Sequence, residues 1–149
     1  MGRPATVDRR GFTLLELLVT LLVLALALGV TMPAIGRGVE AIRARADVAR
    51  FSAMLRHARE QAITTRRAHA VVVDPAGHRL LLVVGDDEVR ETRALRPDLT
   101  VEPNPPNAYR VTFQPHGVSS GGNFRLVTGG LRYRVTVDAL TGRVRADRE

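Results

Sequence analysis

A single carboxylate, Glu16, interrupts an otherwise uncharged apolar run that extends from Phe12 to Ala34. On insertion scales an acidic residue at the centre of a membrane helix costs roughly 2.5–3.5 kcal/mol, and such residues usually have a function. Glu16 comes four residues after Phe12, so the two side chains share one face of a helix. This carboxylate near the start of the run is therefore the first candidate for a functional site.

The other residues with catalytic or metal-binding chemistry form no recognisable site. Gly117–Gly121 matches the G-x-S-x-G nucleophile motif, but that motif needs a strand-to-helix turn and a later His, and no His follows His116. The chain has no Cys, and its His residues have no pair at metal-ligand spacing: His57, His69, His78 and His116. We therefore predict no catalytic residue, no metal site, no cofactor and no enzyme activity.

The composition limits the class of protein. The chain of 149 residues has a formal net charge of +7, and all 22 of its basic residues are Arg. Such a balance is typical of proteins that bind nucleic acid or an anionic membrane surface, but the complete absence of Lys indicates a genome-wide preference for Arg codons and weakens that inference. Hydrophobic residues make up 45% and aromatic residues 4%, which predicts an aliphatic core and excludes a disordered chain.

The apolar run is long enough to cross a membrane, because its 23 residues rise about 35 Å as a helix, against about 30 Å for a hydrocarbon core. Such a helix either ends near Pro33, which cannot donate to the helix ladder, or softens there. Three basic residues precede the run: Arg3, Arg9 and Arg10. They favour an N-terminus that stays in the cytoplasm. The alternative is a secretory signal peptide with the A-x-A cleavage site Ala25–Ala27. Against it, the apolar run continues past Ala27 and carries Glu16, for which a signal peptide has no use.

The segment Arg10–Val19, with the sequence RGFTLLELLV, resembles the N-terminal signature of the type IV pilin and type II secretion pseudopilin superfamily. The resemblance implies that a membrane peptidase and methyltransferase cuts after Gly11 and methylates Phe12 as the new N-terminus. It also implies that Glu16 pairs with the N-terminal ammonium of a neighbouring subunit in an assembled fibre. The expected partners are therefore the prepilin peptidase, other pilin or pseudopilin subunits and the inner membrane.

The apolar spacing also predicts how the rest of the chain is organised. The resemblance implies that residues 1–11 are the cleaved leader, and residues 12–34 are expected to be the transmembrane helix. Apolar residues then recur at helical spacing between Arg and acidic side chains, which predicts an amphipathic helix over residues 35–67. Residues 68–149 have the period of strands and are expected to form a periplasmic head. The predicted fold class is α+β, and the resemblance implies the pilin-like fold, a long N-terminal helix packed on a small antiparallel sheet domain.

Alternating apolar and polar residues predict antiparallel strands in the C-terminal half. Pro75–His78 has good turn chemistry and predicts a hairpin between Ala70–Asp74 and Arg79–Val84. Pro97–Asn107 contains four prolines and is expected to be mostly loop. Further strands are predicted at Tyr109–Phe113, Phe124–Leu126, Leu131–Val137 and Arg143–Ala146.

Arginines alternate with the apolar residues of these strands and share one outward parity. They are Arg110, Arg125, Arg132, Arg134, Arg143 and Arg145. If the strands are neighbours, the outer face is a row of guanidinium groups suited to phosphate or carboxylate partners.

The tail also resembles the H-type branch of the superfamily, which includes the H minor pseudopilin of type II secretion and the FimT-like minor pilins. The matching segments are Val111–Gly117, Leu131–Val137 and Gly142–Arg145. Some FimT-like members are associated with DNA uptake through a G-R-x-R segment, and the resemblance implies DNA contacts here at Arg143, Arg145, Arg132 and Arg134. The other interpretation is a turn followed by a solvated edge strand, on which Arg resists edge-to-edge aggregation.

Together the two resemblances imply a minor pseudopilin of the type II secretion system, processed by prepilin peptidase and assembled into the periplasmic pseudopilus for protein export. We expect a single-pass protein of the bacterial inner membrane with its C-terminal domain in the periplasm. The alternative is a FimT-like type IV minor pilin that binds DNA for natural transformation. DNA binding that depends on Arg143 and Arg145 distinguishes the alternative from the first interpretation.

Overall fold

A computed structural model of the chain describes residues 12–85 and 87–149, without the side chains of residues 30–37. The predicted leader 1–11, which includes Gly11, lies outside the described residues. The described residues form one long helix, α1 (Leu14–Thr65), followed by antiparallel strands. In chain order the strands are β1 (His69–Asp74), β2 (Arg79–Val84), β3 (Glu88–Ala94), β4 (Thr100–Pro103), β5 (Arg110–Phe113), β6 (Gly122–Thr128), β7 (Leu131–Val137) and β8 (Val144–Arg148).

The chain divides into two compact units, with the boundary between Val39 and Glu40. The described part of the first unit is essentially the N-terminal part of α1. This helix has 52 residues and continues through Pro33, so the helix end considered near that proline does not occur. The helix ends at Thr65 rather than at residue 67, because Arg66 adopts the left-handed φ of 54° that is typical just after a helix.

The second unit contains two four-stranded antiparallel sheets. The first sheet has the strand order β3-β2-β1-β5, and the second has the order β4-β6-β7-β8. The C-terminal part of α1 packs on both sheets, since its buried side chains belong to one hydrophobic cluster with theirs. Within this cluster Phe51 of α1 meets Phe124 of β6 edge-on, with ring centroids 5.4 Å apart, a favoured aromatic geometry.

The predicted fold class is confirmed, because a long helix packs on an antiparallel sheet domain. The predicted hairpin forms between β1 and β2, with Asp74 opposite Arg79. In its turn the Asp74 carboxylate accepts hydrogen bonds from the Gly77 N–H at 2.9 Å and from Arg79 Nε at 2.7 Å. These two donors lower the pKa of Asp74 below its ordinary value, the Gly77 N–H most strongly.

Two strands, β3 and β4, were not predicted from the sequence. β3 is an edge strand of the first sheet and shows no alternation, because nearly all of its residues are exposed. β4 lies inside the proline-rich segment that is otherwise loop, and its Val101 is buried in the core. β4 is also an edge strand, where Pro103 can be accommodated without loss of a ladder hydrogen bond.

Candidate assembly helix and arginine surface

Thr13 fixes the start of α1. Its side-chain oxygen accepts a hydrogen bond from the backbone N–H of Glu16 at 3.2 Å, and its carbonyl accepts one from Leu17 N–H at 3.1 Å. Thr13 is therefore the N-cap, a position that Thr favours. Glu16 lies in the first helical turn, where a carboxylate interacts favourably with the helix dipole. The spacing T-x-x-E of Thr13 and Glu16 is the signature of a capping box and is the signal in the sequence that marks this cap.

The N-terminal part of α1 exposes its large apolar side chains on all sides. Between Phe12 and Leu28 their exposed fractions range from 46% at Val19 to 83% at Leu14. A helix that is apolar all round is normally buried, and an exposed apolar surface of this kind marks an interaction site. In the described part of the first unit, this apolar surface is therefore not buried by other side chains of the chain.

The predicted processing residues are placed only in part. Phe12 immediately precedes the N-cap and is 75% exposed, whereas Gly11 lies outside the described residues. Within the described part of the chain, no helix is both long enough and apolar enough to span a membrane. The transmembrane helix expected at residues 12–34 stays a prediction.

The predicted row of six arginines does not form a single face. Arg110 lies on β5 and belongs to the first sheet, because the chain changes sheet between β5 and β6. Arg143 lies in the turn that precedes β8. The other four, Arg125, Arg132, Arg134 and Arg145, are exposed on the second sheet.

Carboxylates neutralise part of this arginine surface. Glu149 accepts hydrogen bonds from Arg125 Nε at 3.1 Å and Arg134 Nε at 2.8 Å. The hydrogen bond from Arg134 is the main cause of a pKa of Glu149 below its ordinary value. On the first sheet Arg110 pairs with Asp87. Among the candidate DNA contacts, Arg134 is therefore already paired, whereas Arg132, Arg143 and Arg145 form no salt bridge with any described residue.

The turn between β7 and β8 is held by Asp138. Its carboxylate accepts hydrogen bonds from the N–H and the hydroxyl of Thr141, both at 2.8 Å. These two bonds, the first more strongly, lower the pKa of Asp138 below its ordinary value. The backbone of Asp138 also accepts from Gly142 N–H at 2.8 Å and donates to the Arg143 carbonyl at 3.0 Å. The G-R-x-R segment is thus part of a closed turn.

Arg59 joins this turn to the loop between β5 and β6. Its Nε–H donates to the Gly117 carbonyl at 3.3 Å. A Cβ at Gly142 would lie 2.3 Å from that same carbonyl oxygen and 2.8 Å from Arg59 Nε, so only glycine fits. The segments Val111–Gly117 and Gly142–Arg145, which carried the H-type resemblance separately, therefore meet at one arginine of α1.

The G-x-S-x-G segment belongs to the same junction. Ser119 Oγ donates to the Asp138 carbonyl at 2.9 Å and accepts from Gly121 N–H at 3.0 Å, while Ser119 N–H donates to the Ala139 carbonyl at 2.8 Å. Ser119 pairs with Phe113 in a β-bridge rather than standing on a strand-to-helix turn. This serine connects the β5–β6 loop to the β7–β8 turn.

Comparison with known proteins identifies the family. The model described as Type II transport protein GspH matches residues 47–141, and that of the prokaryotic N-terminal methylation motif matches residues 7–32. The Type II secretion system protein H of Xanthomonas campestris pv. campestris is 31% identical, over 97% of this chain and 88% of its own length. The chain belongs to the GspH family. Both resemblances seen in the sequence are thereby confirmed.

Solved structures share the fold of this GspH-family chain. The type IV minor pilin FimU of Pseudomonas aeruginosa matches with a TM-score of 0.61 and 18% identity, over 72% of this chain and 90% of its own. The minor pseudopilin EpsH from the Type 2 Secretion System of Vibrio cholerae matches with a TM-score of 0.55 and 17% identity, over 73% of this chain and 96% of its own. At these identities the likeness establishes the pilin-like fold.

Membership of the GspH family gives the chain a broad functional class. The family consists of structural pilin-like proteins of type II secretion. The family and its relative in Xanthomonas campestris favour the secretion interpretation over the FimT-like alternative.

We predict that Gly142→Ala lowers the free energy of unfolding more than Gly130→Ala does. Both glycines have a left-handed backbone, with φ of 62° and 74°, and an L side chain there costs about 1–2 kcal/mol. Only at Gly142 does the new Cβ also meet a backbone oxygen, because nothing lies within 4 Å of a Cβ at Gly130. Denaturant unfolding of the full chain in detergent measures both losses, and equal losses would contradict the junction described above.

Proposed function

We propose that this chain is a minor pseudopilin that prepilin peptidase processes and that then assembles into the periplasmic pseudopilus of a type II secretion system. The observation that carries the proposal is the apolar surface of α1 between Leu14 and Leu28, which is exposed on all sides. The head, in contrast, buries its own core. A GspH-family chain built in this way requires a membrane before assembly and neighbouring subunits after it.

Processing creates a positive charge, the new N-terminal ammonium, and the first helical turn carries a carboxylate that can pair with it. Cleavage after Gly11 leaves an ammonium group on Phe12, next to an apolar helix, where an unpaired charge is costly to bury. Gly11 has no side chain and therefore fits a narrow peptidase subsite. The match of the N-terminal methylation motif to residues 7–32 supports cleavage and methylation at this position. Glu16, one helical turn further on, is the carboxylate that pairs with such an ammonium on a neighbouring subunit.

The same segment anchors the chain in the bacterial inner membrane with its head in the periplasm. Three arginines before the apolar run keep the N-terminus in the cytoplasm. The proposed span, residues 12–34, extends the exposed apolar part of α1 into residues whose side chains the structure does not describe. After extraction from the membrane into a fibre, this helix packs against the corresponding helices of other pilin-like subunits.

We predict that Gly11→Val blocks maturation, because a branched side chain does not fit where cleavage needs glycine. Intact mass of the protein purified from membranes should give a mature chain that starts at methylated Phe12 for the wild type. Gly2→Val, a leader substitution away from the cleavage position, is the matched control and should mature normally. Full maturation of Gly11→Val, or a mature chain that begins after Ala27, would refute the proposed processing.

We predict that Glu16→Gln leaves membrane insertion intact but strongly reduces recovery of the chain in sheared pseudopilus fractions. The substitution removes the charge that pairs with the neighbouring ammonium while it keeps the size of the side chain. Thr20→Leu, one turn further along the same helix face, is the control and should assemble normally. Recovery of Glu16→Gln in pseudopili at the level of the wild type would exclude the pairing role.

DNA contact is the second candidate function, and it is favoured because Arg143 and Arg145 form no salt bridge with the residues that the structure describes. Under this alternative the full chain in detergent binds duplex DNA at low salt, and the double variant Arg143→Gln/Arg145→Gln loses most of that binding. The double variant Arg110→Gln/Arg125→Gln is the control. It removes the same amount of charge, but from residues already paired with carboxylates, and should retain DNA binding. No binding at low salt rejects DNA contact, and equal losses in both variants assign it to net charge alone.

A further inference from the structure

A groove runs between α1 and β8, the edge strand of the second sheet. One part, of about 410 Å³, is lined by Arg45, Val48, Ala49, Ser52, Arg56, Tyr133, Ala146 and Arg148. The adjoining part, of about 300 Å³, is lined by Arg56, Arg59, Glu60 and Thr141–Val144. Because Arg56 lines both parts, we treat them as one surface and call it the edge groove. It lies entirely within the second unit.

The groove is open along an unpaired strand edge. β8 follows β7 in the order β4-β6-β7-β8, and no strand of the described part of the chain lies on its other side. Hydrogen bonds from Glu149 N–H to the Arg132 carbonyl and from Asp138 N–H to the Arg143 carbonyl fix which residues of β8 face β7. Since antiparallel ladders alternate, the residues between them direct their N–H and C=O groups away from β7. These are Val144, Ala146 and Arg148, all three of which line the groove.

The guanidinium groups of the groove are uncompensated. Arg45, Arg56 and Arg148 are exposed and form no salt bridge with any described residue. Arg59 uses its Nε–H on a neutral carbonyl, that of Gly117. Among the described residues, Glu60 is the one acidic residue that lines the groove. The surface therefore has a strong preference for negatively charged groups.

Two hydroxyl groups in the lining lack hydrogen-bond partners. Ser52 and Tyr133 are 1% and 7% exposed, and neither Ser52 Oγ nor the Tyr133 hydroxyl has a partner among the described residues. Buried hydroxyls in folded proteins are normally hydrogen-bonded, so these two beside one groove are polar groups that the described residues leave unsatisfied. Carboxylate or carbonyl oxygens are the acceptors that these donors need.

We propose that the edge groove binds an extended acidic segment of another protein chain, which adds a strand to β8. Alternating N–H and C=O groups on the free edge of β8 match the backbone of a peptide, as in other cases of strand addition. A DNA backbone offers no donors for those carbonyls, and therefore fits this edge less well than a peptide does. Acidic side chains of the added strand meet Arg45, Arg56 and Arg148. The identification of the added strand as part of a neighbouring subunit rests on the proposed function. The binding of an acidic strand in the groove does not.

The test uses the full chain in zwitterionic detergent and a short fluorescent peptide of alternating Glu and Val. Fluorescence anisotropy should report binding of this peptide and none of a Lys–Val peptide of the same length. Arg56→Gln/Arg148→Gln should weaken binding by about fivefold or more, since each exposed ion pair contributes up to about 1 kcal/mol. Arg43→Gln is the control, because Arg43 is exposed on the same helix and lines neither part of the groove.

A second peptide separates strand addition from simple charge attraction. N-methylation of every backbone amide keeps the charge but removes the donors that β8 carbonyls need on both edges of the peptide, so the methylated Glu–Val peptide should not bind. Equal binding of the methylated peptide, no binding of the Glu–Val peptide, or stronger groove-dependent binding of a single-stranded oligonucleotide would each overturn the proposal. None of these results would alter the maturation of Gly11→Val or the assembly of Glu16→Gln, which test the N-terminal helix.

Discussion

One helix must satisfy two different burial requirements, and the rest of the structure depends on this constraint. The C-terminal part of α1 buries one face against two sheets and completes the core of the head. The N-terminal part exposes apolar side chains in every direction. Burial of apolar surface is the main favourable term in protein association. The described residues therefore complete the core of the head, but they supply no cover for the apolar side chains of the N-terminal part.

The head uses the same helix to organise its C-terminal edge. Arg59 fixes the β5–β6 loop, and Gly142 brings the β7–β8 turn against the same carbonyl. These contacts hold β8 beside α1 while they leave its outer edge unpaired. The groove, its free arginines and the two unpartnered hydroxyls follow from this arrangement. Anchoring by the N-terminal helix and recognition by the edge groove can thus be properties of separate surfaces.

Sequence patterns predicted those parts of the structure in which local chemistry decides the outcome. The turn residues between Asp74 and Arg79 specified the first hairpin, and alternation specified β7. Two of the strands, β3 and β4, escaped detection, because β3 buries almost nothing and β4 lies among prolines. The prediction that the arginines form a single face was wrong, because alternation along each strand does not reveal that Arg110 belongs to the other sheet. The role of Gly142 depends on Arg59 and Gly117, which are distant in the chain, and no local pattern contains that information.

The most direct test of the central claim is site-specific photocrosslinking in cells that express the full secretion system. A photoreactive amino acid at Leu22 reports what covers the apolar helix, because Leu22 is 57% exposed in the isolated chain. The account predicts covalent adducts with the N-terminal helix of another pilin-like subunit, and their loss when assembly is prevented. Adducts that do not involve any pilin-like subunit, or adducts that persist unchanged without assembly, would contradict it.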